Sequence, residues 1–409
     1  MNYSKFRPAL LPLVLFGVLG LLSAPALAQT YAFNAASFAT GHNPQVVVNA
    51  DLNGDGRPDL VIANFNDNTI SVLIGNPDGS YQPHVDYAVG TNPVAITVAD
   101  FNGDGKMDLA VVNNNCPTTP CAAVGSVSVL LNNGDGTFQS HVDKNVGNSP
   151  YGVVADDFDG NGKQDLIVTN SQDNTVSVLS GNGDGTFKLL RKLTTGASPH
   201  GIMKGDFNRD HLDDVLIANT GESDLTLFRG NGDLTFQKAL LFTTGPNPLN
   251  ITGGDFNGDG RVDVVTTNST ASTVSVLMAV LRGGLFSTHV DLTIAGTAVG
   301  VATGDFSGDG FDDIAATTAG IDGVSVLLSN GDGTFKPHVD FAAGVDPVSA
   351  TAGDFNGDGK IDLATANDLD NSVTIFPGKG TGGFQSLFGT PVGVMPDGRQ
   401  PDISFLSLL

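Results

Sequence analysis

Tryptophan is absent from this 409-residue chain, and glutamate occurs once, as Glu222, among 43 acidic residues. A solvated acidic surface normally mixes both acids. A set made almost wholly of aspartate points to a short carboxylate placed in loops for its geometry. Basic residues are scarce: 19 Lys and Arg leave a net charge of −24, which argues against nucleic acid as a partner. No G-x-S-x-G elbow occurs, and the lone glutamate leaves no evident carboxylate pair for glycoside hydrolysis. Beyond the N-terminal segment no run is apolar enough to cross a membrane, and no stretch has a helical period. What is plentiful is glycine, at 53, among short β-branched runs, the mixture of turns and strands. A hydrophobic fraction of 40% is enough to bury a core.

The first 28 residues read as a secretory signal. Lys5 and Arg7 form its charged start, Ala9 to Leu22 its apolar run, and Ala26-Leu27-Ala28 a small-x-small cleavage site before Gln29. No cysteine follows the site, so no lipid anchor is indicated. The expected location is secreted, periplasmic or cell-surface, with residues 29–409 as the mature chain. The only cysteines, Cys116 and Cys121 in CPTTPC, are expected to close a small loop by a disulfide in that setting. The alternative, a metal or redox pair, has no neighbouring histidine to support it.

One nonapeptide organises the rest. DFNGDGKMD, Asp100 to Asp108, has counterparts starting at Asp51, Asp157, Asp206, Asp255, Asp305 and Asp354, with steps of 49, 57, 49, 49, 50 and 49 residues. The long step holds an insertion, NNNCPTTPCAAVG, between Asn113 and Gly125. A period near 49 suits the four-stranded blade of a β-propeller. Within each unit a strand rich in small residues precedes the aspartate, as in PVAITVAD (Pro93 to Asp100). A second follows it, as in DLVIAN (Asp59 to Asn64). A third is TVSVLS (Thr175 to Ser180), and an NGDGTF turn leads to a fourth, FQSHVDKNV (Phe138 to Val146). The fold class is therefore all-β: a seven-bladed propeller whose aspartate loops join the first two strands of every blade. Because strands alternate in direction, these loops share one face with the NGDGTF turns, and the cysteine loop lies on the other. Residues 31–40 resemble a fourth strand without a unit, and residues 401–408 a first strand without a loop. One of them is expected to close the ring, and the sequence does not say which.

Each loop offers oxygen at positions 1, 3, 5 and 9. The sets are Asp51, Asn53, Asp55, Asp59; Asp100, Asn102, Asp104, Asp108; Asp157, Asp159, Asn161, Asp165; Asp206, Asn208, Asp210, Asp214; Asp255, Asn257, Asp259, Asp263; Asp305, Ser307, Asp309, Asp313; and Asp354, Asn356, Asp358, Asp362. Hard oxygens at alternate positions of a curled loop suit Ca²⁺, with the backbone carbonyl at position 7 as a further ligand, whereas Mg²⁺ keeps its waters and rarely takes an all-protein cage. The order matches the start of an EF-hand loop but lacks its glutamate at position 12, where strand residues such as Ile62 and Val111 stand. Three carboxylates in one small loop repel one another unless a cation sits among them. Signal removal takes the charge from −24 to −26, and seven Ca²⁺ would bring it to −12. In the fourth loop Arg209 and His211 replace both glycines, so an unusual backbone angle and the weakest binding are expected there. The ions would be structural.

These units resemble FG-GAP repeats of the VCBS type, similar to the propeller of integrin α subunits, over about residues 31–409. The resemblance implies a propeller, usually seven-bladed, with Ca²⁺ in loops of the D-x-[DN]-x-[DN]-G-x-x-D form. It also implies ligand binding on the face opposite those loops. Integrin propellers carry Ca²⁺ in some blades only; here all seven have the ligands.

The expected function is a secreted, calcium-binding module, monomeric and non-catalytic, that takes an extracellular protein or glycan ligand. The alternative is an exported carbohydrate-active enzyme, a polysaccharide lyase or hydrolase, which would need a basic or aromatic cluster at one mouth of the central channel. The NGDG turns at Asn133, Asn182 and Asn330 lack a third acid in register and read as hairpins. His84, His141, His289 and His338 fall in separate blades, too far apart for a shared site. Phe101 and Phe138 and their counterparts are expected to fill gaps between blades.

Overall fold

The computed structural model describes residues 36–115, 124–280 and 285–384. The expected signal segment, the cysteine pair and residues 401–408 lie outside the described residues. Seven four-stranded antiparallel sheets stand around an axis, and no helix occurs among the described residues. Blade one comprises Pro44–Ala50, Asp59–Asn64, Thr69–Leu73 and Val85–Ala88, from the axis outward. The inner strands of blades two to seven are Pro93–Ala99, Pro150–Asp156, Pro199–Gly205, Pro248–Gly254, Thr297–Gly304 and Pro347–Gly353.

Each inner strand ends where an aspartate loop begins. Each second strand starts at the ninth residue of that loop and its first six residues are buried, as in Asp59–Asn64 and Asp362–Asn367. A strand enclosed on both faces loses the polar alternation of a half-exposed one, which is why these segments read as continuous apolar runs.

The outer strand departs from expectation. Phe138 does not begin it; it forms an isolated bridge with Asn132 at the base of the hairpin, and the strand proper runs Val142–Asn148. Blade three alone extends without a break from Phe187 to Thr194, with a bulge at Val178/Leu179.

The N-terminal spare strand closes the ring. Ala36–Ala39 pairs antiparallel with Ser372–Phe376 of the last blade, and the Thr40 N–H reaches the Asn371 carbonyl at 3.0 Å. The first segment thereby completes the seventh blade, and Phe38 packs edge-on against Tyr81 of the first, 5.2 Å between centroids. This strand covers the otherwise open edge of Ser372–Phe376 and is itself only four residues long.

The blades pack through a repeated aromatic contact. The residue after the first aspartate of one loop meets the aromatic that ends the hairpin of the next blade. Phe101 meets Phe187 at 5.5 Å, Phe256 meets Phe335 at 5.4 Å and Phe306 meets Phe384 at 5.8 Å. Leu52 with Phe138, and Phe355 with Tyr81, occupy the same place in their core clusters. These phenylalanines fill the seams between blades, as the sequence implied.

Candidate functional site

The aspartate loops share one geometry. In blade one the Asp51 carboxylate accepts the N–H groups of Gly54 (2.8 Å), Asp55 (3.1 Å) and Gly56 (2.8 Å). Asn53 Oδ1 accepts the Asp55 N–H at 2.9 Å. These bonds curl the backbone so that positions 1, 3 and 5 turn inward. The curl needs positive φ at positions 4 and 6, which Gly54 and Gly56 supply at 75° and 83°. In the fourth loop Arg209 and His211 adopt the same region at φ 61° and 67°, and the Asp206 bonds to Asp210 and His211 N–H persist at 3.0 and 2.8 Å. The unusual angle expected there is present.

The aspartate at position 9 also has a structural role that its spacing did not reveal. Asp59 is fully buried; one oxygen accepts the Leu52 N–H at 2.9 Å and the other the Gly75 N–H at 2.8 Å. Asp108, Asp165, Asp214, Asp263, Asp313 and Asp362 are equally buried. Each locks its loop to the end of the third strand. Burial, opposed by these backbone bonds and reinforced by the other loop aspartates, pushes Asp165, Asp214, Asp263, Asp313 and Asp362 up to about 6.

The loops differ in how closely their carboxylates gather. Among the described residues, Asp157, Asp159 and Asp165 bring ligand oxygens within 4.8 Å of one another. In loops one, two, five and seven the position-5 aspartate is drawn to the basic residue at position 7. The distances are Asp55–Arg57 2.8 Å, Asp104–Lys106 3.2 Å, Asp259–Arg261 2.9 Å and Asp358–Lys360 3.1 Å. Exposed ion pairs of this kind are worth little and yield readily to a stronger partner. The donor set in every loop is carboxylate with amide or hydroxyl oxygen, the chemistry of a hard divalent cation and not of a soft one.

The remaining candidates fall as follows. The NGDG segments are hairpin turns, with the Asn133 N–H on the Thr137 carbonyl at 2.9 Å and Asp135 capping Thr137. The four histidines stand apart, each beside the aspartate two residues on, as in His84–Asp86 at 2.8 Å and His338–Asp340 at 2.8 Å. Ser71 Oγ donates to the same Asp86 at 2.7 Å, which ties strands three and four of that blade. The roots of the cysteine loop lie on the face away from the aspartate loops, where Asn115 Nδ2 meets the Val124 carbonyl at 2.9 Å.

Sequence reading missed one group. Tyr151 and His200 start the inner strands of blades three and four and meet at the axial mouth on that same far face. Their ring centroids are 4.0 Å apart at 67°. The visible signal was a ring placed between the proline that opens each strand and a glycine, Pro150-Tyr151-Gly152 and Pro199-His200-Gly201.

Residues 51–111, 157–217, 206–266 and 305–365 match the FG-GAP-like repeat family. No curated protein matches the chain. Among solved structures the fold is similar to hydrazine synthase from Kuenenia stuttgartiensis (14% identity, TM-score 0.59, 87% of this chain and 99% of that one). It is similar also to BBS1N in complex with ARL6DN (14%, 0.58, 84% and 95%). Virginiamycin B lyase from Staphylococcus aureus is a third such structure (15%, 0.56, 84% and 99%). At these identities the likeness is one of fold. The sevenfold loop, the propeller it builds and the family match together place this chain in the FG-GAP-like repeat family.

Proposed function

We propose that the protein is an exported propeller, stabilised by Ca²⁺ in its aspartate loops, that acts as a non-catalytic binding module for an extracellular glycan or protein. The observation that supports the calcium reading is the loop curled around its first aspartate in every blade, with Asp157, Asp159 and Asp165 of the third bringing ligand oxygens within 4.8 Å of one another. The ions are structural, because each loop also carries the contact between adjacent blades. Gly185 N–H of blade three bonds to the Phe101 carbonyl of blade two at 3.0 Å, and Gly382 N–H to the Phe306 carbonyl at 2.8 Å. A cation that rigidifies a loop therefore also rigidifies a seam. The loops being committed to the scaffold, the ligand falls to the far face, which carries the roots of the cysteine insertion and the axial mouth.

The test is thermal unfolding of the purified chain with and without excess chelator, with metal content measured in both samples. The melting temperature should drop when calcium is removed and recover on its return. An unchanged curve after demonstrated metal loss would refute the structural-ion reading. Export is checked separately by N-terminal sequencing of the secreted protein, which should begin at Gln29.

A second reading, catalysis at the axial mouth, is favoured by the Tyr151–His200 pair. Against it, no Lys, Arg, Asp or Glu lines that mouth among the described residues to stabilise a developing charge.

A further inference from the structure

On the face away from the aspartate loops the seven inner strands enclose an axial cavity of about 300 Å³. Aliphatic side chains, Val94, Leu249, Val299 and Val348, form much of its wall, and blades three and four add Tyr151 and His200. The two rings are held by backbone. Gly152 N–H donates to Thr169 Oγ1 at 2.7 Å, and that hydroxyl donates to the His200 carbonyl at 2.8 Å. Strand approach is so close that a Cβ on Gly152 would stand 2.5 Å from the His200 carbonyl oxygen.

The polar groups left over are all neutral. His200 Nδ1 lies 3.2 Å from the Ser198 carbonyl, which only accepts, so Nδ1 carries the proton and Nε2 the lone pair. Burial drives the imidazole down to about 4, so it is uncharged at neutral pH. The Tyr151 hydroxyl has no protein partner among the described residues, and 38% of the residue faces open space. That open surface lies within the cavity walls, which is why burial still raises the phenol pKa. Asn250 Nδ2 donates to the Val299 carbonyl at 2.9 Å, which orients the amide, and its Oδ1 serves as an acceptor.

We propose that the axial mouth binds one uncharged, polyhydroxylated ring, the terminal pyranose of a neutral glycan, against Tyr151, with His200 Nε2, Asn250 Oδ1 and the Tyr151 hydroxyl meeting its hydroxyls. The apolar C–H face of a sugar suits an aromatic ring, and its hydroxyls both donate and accept. Nothing in the lining compensates a carboxylate or an ammonium, and burying either unpaired is costly. The net charge of −24 repels anions further. The volume is at the low end for small-ligand cavities, room for one ring and not a chain. This inference deepens the binding-module reading and rests on it.

The test uses the full calcium-loaded chain and methyl glycosides of neutral hexoses and N-acetylhexosamines, with methyl glucuronide as the charged counterpart. Saturation-transfer NMR and calorimetry should show binding of at least one neutral glycoside and none of the glucuronide. Tyr151→Phe should weaken that binding about fivefold through the lost hydrogen bond, and Tyr151→Ala should abolish it at unchanged melting temperature. Val348→Trp, which fills the mouth from the opposite wall, should abolish it independently. No binding of any neutral glycoside up to about 10 mM, equal binding of the glucuronide, or binding unaffected by both Tyr151→Ala and Val348→Trp would overturn the proposal. Glycoside cleavage during titration would overturn it in favour of catalysis. A chelator-insensitive melting curve would sink the calcium reading and leave these titrations untouched, while a ligand that still binds after the mouth is filled keeps a binding module and moves its site.

Discussion

The Asn132 side-chain amide lies 2.8 Å from the Leu52 carbonyl, 80 residues earlier in the chain. It joins the hairpin of the second blade to the aspartate loop of the first. The same amide donates to the Met107 carbonyl at 2.9 Å, and its oxygen accepts the Gly134 N–H at 2.7 Å. Asn132→Ala leaves all three backbone groups unpaired, so a loss of about 2–4 kcal/mol is expected in denaturant melts. Ser329 holds the corresponding place in blade six, reaching the Phe256 carbonyl at 2.7 Å. Asn132→Ser should therefore recover part of the loss, and equal damage from both variants would argue against the seam bond as the cause.

Ring closure makes a second prediction. Removal of the chain through Ala39 takes away the partner of Ser372–Phe376 and the Phe38–Tyr81 contact. The truncated protein should melt lower and self-associate through the freed edge. Calorimetry and light scattering read the two effects. A monomer with the parent melting temperature would mean that another segment closes the ring.

The fourth loop offers a gain of stability. His211 holds φ 67°, its side chain is 96% exposed, and its N–H bond to Asp206 belongs to the backbone. His211→Gly keeps that bond and removes the left-handed strain, for a gain of about 1 kcal/mol. Arg209→Gly should gain less, because Arg209 Nη2 also donates to the Gly260 carbonyl at 2.6 Å. Melting temperatures of the two variants give the order.

His200 predicts a pH effect of definite sign. Burial lowers its pKa to about 4 in the folded protein, while an unfolded chain titrates it near 6.5. Between those values the unfolded state binds the extra proton, so this contribution is complete above about 6.5 and is lost as pH falls toward 4. His200→Gln lacks the effect. The melting temperature of the parent minus that of His200→Gln should therefore shrink from pH 7 to pH 4, and a constant difference would place the imidazole in open water.

Much of the molecule was legible along the chain because each blade is built from local contacts. The spacing of Asp100, Asn102, Asp104 and Asp108 already implied a curled loop between two strands, since alternate residues of such a curl face one centre. The burial of Asp108 was not legible, because its second partner, the Asn132 N–H at 2.8 Å, comes from the far end of the third strand. The start of the outer strand was misplaced at Phe138 for a similar reason. Its alternation with Val142 looks like one strand, but the aromatic is drawn into the seam beside Leu52 and Tyr87.

The sequence by itself determined the blade, its sevenfold repetition and the oxygen donors of each loop, all of which depend on residues within one period. Tertiary structure alone decided that the N-terminal strand closes the ring and that aspartate loops meet the next blade's hairpin. It alone set Tyr151 and His200, one blade apart, 4.0 Å from each other. The physical reason is closure. Seven units bent around one axis bring the starts of their inner strands together at a single mouth, a proximity that no interval along the chain encodes.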